Sequence, residues 1–143
     1  GGFMGNPAIY PVIYHCESPD VVIVHINPMN RCSEPRTARD ILNRINEISF
    51  NSSLMREMRA IAFVTKMIDE GQVCNDSLKR MNIHAIAAEE FMRELSVSSK
   101  LNPDWEFLTH LRDVGRAHAE HWLAECFEKV GKESSIDIRE AYL

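Results

Sequence analysis

The sequence predicts an α/β protein in which short strands alternate with helices. Two observations carry this prediction. The run from Val21 to Ile26 is almost continuously β-branched, which indicates a strand buried on both faces, as in the interior of a parallel sheet. Before and after it lie segments whose apolar residues recur every three or four positions, which indicates amphipathic helices. We therefore expect helices above and below a buried parallel sheet.

The first predicted element is a short helix over residues 7–14. Asn6 is suited to cap its amino end, and Pro7 suits the first helical position. Pro11 lies inside the segment and is expected to kink or shorten the helix. Ser18-Pro19-Asp20 then predicts a turn into the first strand.

Two helices are predicted after the first strand. Thr37 and Asp40 form a weak capping box for the first of them. The sequence Phe50-Asn51-Ser52-Ser53 is expected to interrupt the apolar pattern, so that a second helix begins near Leu54 and stops at Gly71. The apolar stripe of the first helix is Ala38, Ile41, Leu42, Ile45 and Ile48.

A second, weaker strand is predicted over residues 82–88, with a short helix over 89–95 and a loop at 96–100. Two strands make a marginal sheet, and a strand buried on both faces needs a neighbour at each edge. The sequence therefore predicts that part of the sheet lies upstream of residue 1.

The last predicted helix runs from Pro103 to Val130, capped by Asn102 and ended by Gly131. Its apolar stripe includes Gly115, where a close neighbour is expected. The full stripe is Trp105, Leu108, Leu111, Gly115, Ala119, Trp122, Cys126 and Val130.

Composition limits the classes of function. The net charge of −5 argues against a nucleic-acid partner, and the apolar run at 21–24 is far too short to cross a bilayer. Four cysteines stand well apart without a C-x-x-C pair, so we expect neither a metal framework nor a disulfide scaffold. We interpret Cys16, Cys32, Cys74 and Cys126 as free, buried thiols in a reducing compartment.

No nucleophile motif and no phosphate-binding glycine loop occurs in the chain. His118, His121 and Glu125 share one face of the last helix, but they do not form H-E-x-x-H, so a solvated face is favoured over a metal site. His25 is interpreted as a hydrogen-bonded core histidine. The arginines at 31, 36, 39 and 44 are interspersed with acids, which favours a mixed solvated surface. We expect no cofactor.

An ordered series of short motifs resembles the patatin-like phospholipases, in particular bacterial members with an added C-terminal region. Gly1 and Gly2 match the two small residues of the family's Asp-Gly-Gly motif, and Asn6-Pro7 matches the helix start that follows it. The remaining matches are 21–28, 35–39, 51–54 and 95–111, so the likeness extends to about residue 123.

The resemblance implies a three-layer α/β/α fold and lipid acyl hydrolysis by a Ser-Asp dyad. The serine of Gly-x-Ser-x-Gly, the oxyanion loop and the aspartate would all lie upstream, the aspartate immediately before Gly1. No catalytic residue is therefore assigned in this chain, and Gly1 and Gly2 are assigned only as the turn that presents that aspartate. Residues 1–50 would end the catalytic domain, and residues 51–143 would form a mostly helical C-terminal extension with one short strand.

The predicted function is thus the C-terminal part of a patatin-like lipid acyl hydrolase, inactive without its upstream half. The alternative is a non-catalytic binding or regulatory module of patatin-like ancestry. Expected partners are the upstream half and a lipid or acyl-ester substrate, and no nucleic acid. The expected location is the cytoplasm; contact with a membrane surface and homo-oligomer formation stay open.

Overall fold

In the computed structural model, which describes residues 7–30, 34–73 and 78–143, helices alternate with two strands. This confirms the mixed α/β class. The elements in chain order are α1 (Tyr10–His15), β1 (Asp20–His25), α2 (Ala38–Asp69), β2 (Asn82–Ala87), α3 (Glu89–Glu94), a 3₁₀ turn (Val97–Leu101), α4 (Trp105–Cys126), a second 3₁₀ turn (Phe127–Lys129) and α5 (Ile138–Tyr142).

Strands β1 and β2 pair in parallel, with Val22 opposite His84 and Ile23 opposite Ala85. Parallel strands need a crossover connection, which the long helix α2 provides. The prediction that β1 is buried on both faces is wrong for the described residues. Ile23 is buried, whereas Val24 on the opposite face is 65% exposed.

The core lies on one side of the sheet, because α1, α2 and α5 all pack against the face that carries Ile23. Leu54 and Met58 of α2 are almost fully buried there, as is Ile83 of β2. The buried cluster consists of Ile9, Ile23, Leu54, Met58, Ile61, Met81, Ile83 and Tyr142.

Helix α2 is continuous from Ala38 to Asp69, so the predicted break at 50–53 is wrong. The side-chain amide of Asn51 donates to the carbonyl oxygen of Pro28 at 2.9 Å, which satisfies this polar residue inside the helix. The predicted capping box is confirmed, since Thr37 and Asp40 bond reciprocally. Gly71 has a φ of 67° directly after the helix, as its predicted stopping role requires.

The amino-terminal half of α2 does not bury the predicted stripe. Its members Ile41, Leu42, Ile45 and Ile48 are all exposed. The core contacts come from the carboxyl-terminal half of the helix, where Leu54, Met58 and Ile61 are buried. The buried positions of α2, which are Glu47, Asn51, Leu54, Met58 and Ile61, follow one stripe along the helix, and the predicted apolar stripe lies off that face.

Helix α4 is shorter than predicted and begins at Trp105, because Asp104 rather than Asn102 is its N-cap. Only part of the predicted stripe is covered: Trp122 is buried, while Trp105 is 74% exposed. A Cβ atom at Gly115 would meet no atom within 4 Å, so the expected close neighbour is absent from the described part of the chain. Among the described residues, none of the helices combines the length and the apolar character needed to cross a membrane.

Candidate functional site

The carboxyl ends of the two parallel strands border a crevice of about 150 Å³. Ligands of open α/β sheets bind at this end of the strands, which makes the crevice the first place to look for a site. His25 closes β1, Glu89 opens α3 directly after β2, and Tyr142 of α5 reaches the crevice from the end of the chain. Most of the remaining wall is apolar, from alanine, methionine and isoleucine side chains.

His25 and Tyr142 form the central polar pair of the crevice. Nε2 of His25 lies 2.6 Å from the Tyr142 hydroxyl, and the rings stack with their centroids 5.6 Å apart. Burial lowers the pKa of His25, against an opposing effect of the Glu89 charge, and burial raises the pKa of Tyr142 to about 12. At neutral pH the pair is therefore an uncharged imidazole bonded to an uncharged phenol. This arrangement can position a ligand or accept a proton, but a phenol with so high a pKa is a poor nucleophile.

Glu89 joins the two strand ends. Its Oε1 accepts hydrogen bonds from the backbone N–H groups of Met29 at 2.8 Å and Asn30 at 2.9 Å, and its Oε2 lies 3.1 Å from Arg93. The carboxylate thus ties the loop after β1 to the first turn of α3. These bonds engage both oxygens, so Glu89 supports the shape of the crevice.

A second polar cluster lies at the opposite, amino end of the sheet. Oδ1 of Asp20 accepts from the backbone N–H of Gly131 at 2.9 Å and from the Asn82 amide at 3.2 Å, and it lies 3.1 Å from Nε2 of His84. Burial raises the pKa of Asp20, but the bonds from Gly131, His84 and Asn82 outweigh it and leave the pKa below its usual value. Asp20 therefore holds the loop after α4 against both strands.

His84 is fully buried and packs edge-on against Trp122, with ring centroids 5.9 Å apart. Nδ1 of His84 and Nε1 of Trp122 have no hydrogen-bond partner among the described residues. A buried histidine bound to a carboxylate through one ring nitrogen is the arrangement of a catalytic base. Nδ1 of His84, however, is hydrogen-bonded to no described serine or cysteine. The pair of His84 and Asp20 is therefore assigned a structural role.

A second cleft, of about 430 Å³, lies between α1, α2 and the segment before β2. Its lining is mainly apolar, and Tyr10 and Tyr14 stand at its rim. Glu57 closes one side, where Oε2 accepts from the backbone N–H of Ile9 at 2.6 Å and of Tyr10 at 3.1 Å. Lys79 closes another side by donating to the carbonyl oxygens of Cys16 and Ser18.

The positions singled out from the sequence contribute little to these sites. Gly1 and Gly2, the predicted turn, lie outside the described residues, as do Arg31, Cys32 and Cys74. His25 is hydrogen-bonded, as predicted. Cys16 is exposed, which corrects the expectation of a buried thiol, and Cys126 is partly buried; both are free.

The histidine face of α4 is solvated, as the favoured interpretation has it. His121 and Glu125 form an exposed pair at 3.2 Å, while the ring of His110 packs edge-on against Phe91. Across residues 7–30, 34–73 and 78–143, no three histidine, cysteine or acidic side chains converge as a metal site would require.

Sequence reasoning missed the polar groups that organise both ends of the sheet. Glu57, Glu89 and Asp20 look like ordinary surface acids in the sequence, and the distant backbone N–H groups that they accept from lie between 47 and 111 positions away. The sequence offers one hint about Glu89, because an acid in the first turn of a helix is favoured by the helix dipole. It offers no comparable hint about Asp20 or Glu57. Comparisons with protein families, with curated proteins and with solved structures found no match.

Proposed function

We propose that this chain is the C-terminal part of a patatin-like serine lipid acyl hydrolase. The observation that carries the proposal is the ordered series of motifs that starts with Gly1-Gly2 and Asn6-Pro7 and continues through 21–28, 35–39 and 51–54. Each motif alone is weak, and their order along one chain makes the series specific. Strand β1 coincides with the motif at 21–28, and it forms a parallel β-α-β unit with α2 and β2. Such a unit is compatible with an α/β/α hydrolase domain.

The chemistry would be acyl transfer shared between this chain and its upstream half, together called the parent protein. An upstream serine attacks the ester carbonyl while the aspartate before Gly1 takes its proton. Backbone N–H groups stabilise the oxyanion, the alcohol leaves with the proton, and water then releases the acid by the same steps. The role of this chain is to hold the aspartate turn through α1 and the core beneath it.

We expect the 143-residue chain alone to be inactive. The partly buried His25 binds a phenol, and the fully buried His84 binds a carboxylate, so both histidines are engaged. The division into a catalytic end at 1–50 and a helical extension at 51–143 stays a prediction, and α2 runs through position 50 without interruption. A cytoplasmic location with contact to a membrane surface also belongs to this proposal.

The test uses a serine-directed fluorophosphonate together with an acyl p-nitrophenyl ester. The parent protein is expected to turn over the ester and to bind the phosphonate covalently with loss of activity. The 143-residue chain is expected to do neither. Ester turnover by the purified chain, unaffected by the phosphonate, would contradict the proposal.

The second candidate function is a non-catalytic binding module, and the cleft beside α1 favours it. A largely apolar cleft of about 430 Å³ lies within the range of small-molecule sites. This candidate predicts that the parent protein binds apolar ligands but hydrolyses no ester. A non-acidic residue immediately before Gly1 in the parent protein would support it, and an aspartate there would support the hydrolase.

A further inference from the structure

A cavity of about 350 Å³ lies beyond the carboxyl end of β1, between the first half of α2, α3, the first 3₁₀ turn and α4. It shares Asn27 and Met92 with the crevice beside His25, so it belongs to the end of the sheet where ligands of open α/β folds bind. Most of its wall is apolar. The apolar lining consists of Ile26, Pro28, Phe50, Met92, Leu95 and Leu111.

Lys100 brings a positive charge to the wall of this cavity. Its Nζ donates to Oδ1 of Asn27 at 3.1 Å and lies 4.8 Å from the centre of the Phe50 ring. An amide oxygen and an aromatic face both attract an ammonium group, so together they hold the lysine in place without neutralising it. Lys100 forms no ion pair with any residue that the structure describes, and N–H groups of its ammonium remain for a ligand.

Asn27 adds a second hydrogen-bond donor. The residue is only 8% exposed, and its Oδ1 is already bonded to Lys100. Among residues 7–30, 34–73 and 78–143, none accepts a hydrogen bond from its Nδ2. A nearly buried amide N–H gains free energy from an acceptor, and a ligand oxygen would supply one. The ammonium and the amide are thus neighbouring donors, which suits the two oxygens of a carboxylate.

The acid in the wall of the cavity is compensated within the chain. Glu47 is buried, and its Oε2 lies 3.4 Å from Nη1 of Arg44. The charges of the described wall therefore leave one positive charge, that of Lys100. One positive charge favours a ligand with one negative charge over a phosphate dianion, which Glu47 would also repel more strongly.

We propose that this cavity binds a monocarboxylate that carries an apolar chain. The carboxylate accepts from Lys100 and Asn27, and the chain lies against the apolar wall. At about 30 Å³ per non-hydrogen atom, the volume of one molecule in liquid water, the cavity of about 350 Å³ holds a carboxylate of about eight carbons, such as octanoate. The site is inferred from its own residues; only the origin of the carboxylate, its release from an acyl ester, rests on the proposed function.

A purely apolar occupant fits the cavity less well. It would cover the amide of Asn27 and part of the Lys100 ammonium without giving their N–H groups an acceptor, which costs free energy. The same objection applies to an apolar segment of the upstream half. A carboxylate with an apolar chain satisfies both the polar end and the apolar wall.

The test is a titration of the parent protein with octanoate, followed by the methyl NMR signals of Met92 and Leu111. Both side chains line this cavity, whereas Met81 lines the cleft beside α1 and Met58 lies in the core. We expect the signals of Met92 and Leu111 to shift with a dissociation constant below about 1 mM, as a ligand of this size allows. No shift of these two signals at about 5 mM octanoate, or a shift of Met81 alone, would overturn the inference.

Substitutions of Lys100 test the role of its charge. Lys100→Met keeps an apolar stem, and we expect it to weaken octanoate binding about tenfold, the effect of one charge-assisted bond that solvent also reaches. Lys100→Arg keeps the charge and should stay within about threefold of the unchanged protein. Lys132→Met is the matched control, because it makes the same change in net charge at an exposed pair with Glu128. Equal weakening by Lys100→Met and Lys132→Met would overturn the inference.

Two further ligands separate the carboxylate from the chain. Octanol keeps the chain without the carboxylate, and acetate keeps the carboxylate without the chain. We expect each to bind at least about tenfold more weakly than octanoate at the Met92 and Leu111 signals. Octanol that binds as well as octanoate would show an apolar pocket without anion recognition. Acetate that binds as well would show an adventitious ion only, and either result would overturn the inference.

Ester hydrolysis by the same parent protein separates this inference from the proposed function. An active parent protein in which octanoate leaves Met92 and Leu111 unaffected would contradict the carboxylate site and leave the hydrolase intact. Octanoate binding at these two residues in a parent protein that hydrolyses no ester would support the site and contradict the hydrolase.

Discussion

The hydroxyl of Tyr142 lies 2.6 Å from Nε2 of His25, although 117 positions separate the two residues. This bond fixes the last helix of the chain to the carboxyl end of the first strand. Tyr142 is also part of the buried cluster, with only 3% of its surface exposed. The crevice at the strand ends therefore depends on the final residues of the sequence.

Replacing Tyr142 by phenylalanine keeps the ring and removes the hydrogen bond. We expect a loss of about 1 kcal/mol in the free energy of unfolding, the usual contribution of one such bond. Urea unfolding of the chain measures it. Tyr10→Phe is the control, because Tyr10 is 59% exposed. Equal effects of the two variants would contradict a specific role for the pair.

The stability of the chain should fall as the pH drops below the usual pKa of histidine. Burial lowers the pKa of His25 in the folded state, so the unfolded chain binds a proton at a higher pH than the folded chain does. The loss therefore begins near pH 6.5, the unperturbed value, and ends below the folded pKa.

The urea midpoint between pH 5 and pH 8 measures this dependence. His25→Gln should flatten the curve, because it removes the titrating group. Asp20 also has a lowered pKa, but its contribution to stability is lost as the pH falls through its usual pKa of 3.8 and below, which is outside this range. An unchanged slope in the His25→Gln variant would show that another group causes the loss.

Asp20 is expected to be the most sensitive acid of the chain. Asp20→Ala removes one acceptor shared by Gly131, Asn82 and the fully buried His84. A buried polar group without a partner costs about 1–3 kcal/mol, and we expect a loss at the upper end of that range. Asp113→Ala is the control, since its ion pair with Arg112 is exposed and screened by solvent, so its removal should have a much smaller effect. Losses of similar size would contradict the anchoring role of Asp20.

Asn51 is expected to stabilise the fold from inside α2. Asn51→Ala removes the bond to the carbonyl oxygen of Pro28 and should cost about 1–2 kcal/mol, although alanine is the better helix former. Asn46→Ala is the control, because the Asn46 amide donates to the carbonyl oxygen of Leu42 in its own helix. Thermal unfolding of both variants compares them. A stabilising effect of Asn51→Ala would show that helix propensity outweighs the tether.

Local signals in the sequence were sufficient for both strands and for the two ends of α2, but not for the starts of α1 and α4. The capping box of Thr37 and Asp40 and the positive-φ glycines at 71 and 131 involve only residues that are close in the chain. Such signals can therefore be recognised in the sequence. The predicted break at 50–53 failed for the opposite reason. Asn51 is satisfied by a residue 23 positions away and Leu54 is held in the core, and both are tertiary effects.

The candidate sites were less predictable than the fold. The bond between His25 and Tyr142 and the bonds of Asp20 and Glu89 join distant segments, and no spacing along the chain signals them. The fifth helix spans only five residues, too short for a periodic pattern. The exposure of Val22 and Val24 was likewise unexpected, since a continuous apolar run does not say which of its neighbours the chain itself supplies.

The most direct measurement is ester hydrolysis by the parent protein, beside a variant in which the residue immediately before Gly1 is alanine. Short-chain and long-chain acyl p-nitrophenyl esters should both be used. The hydrolase account predicts activity in the parent protein and its loss, by a factor of at least about 100, in the variant, because an absent general base typically costs that much. Full activity in the variant, or no activity in either protein, would contradict the account.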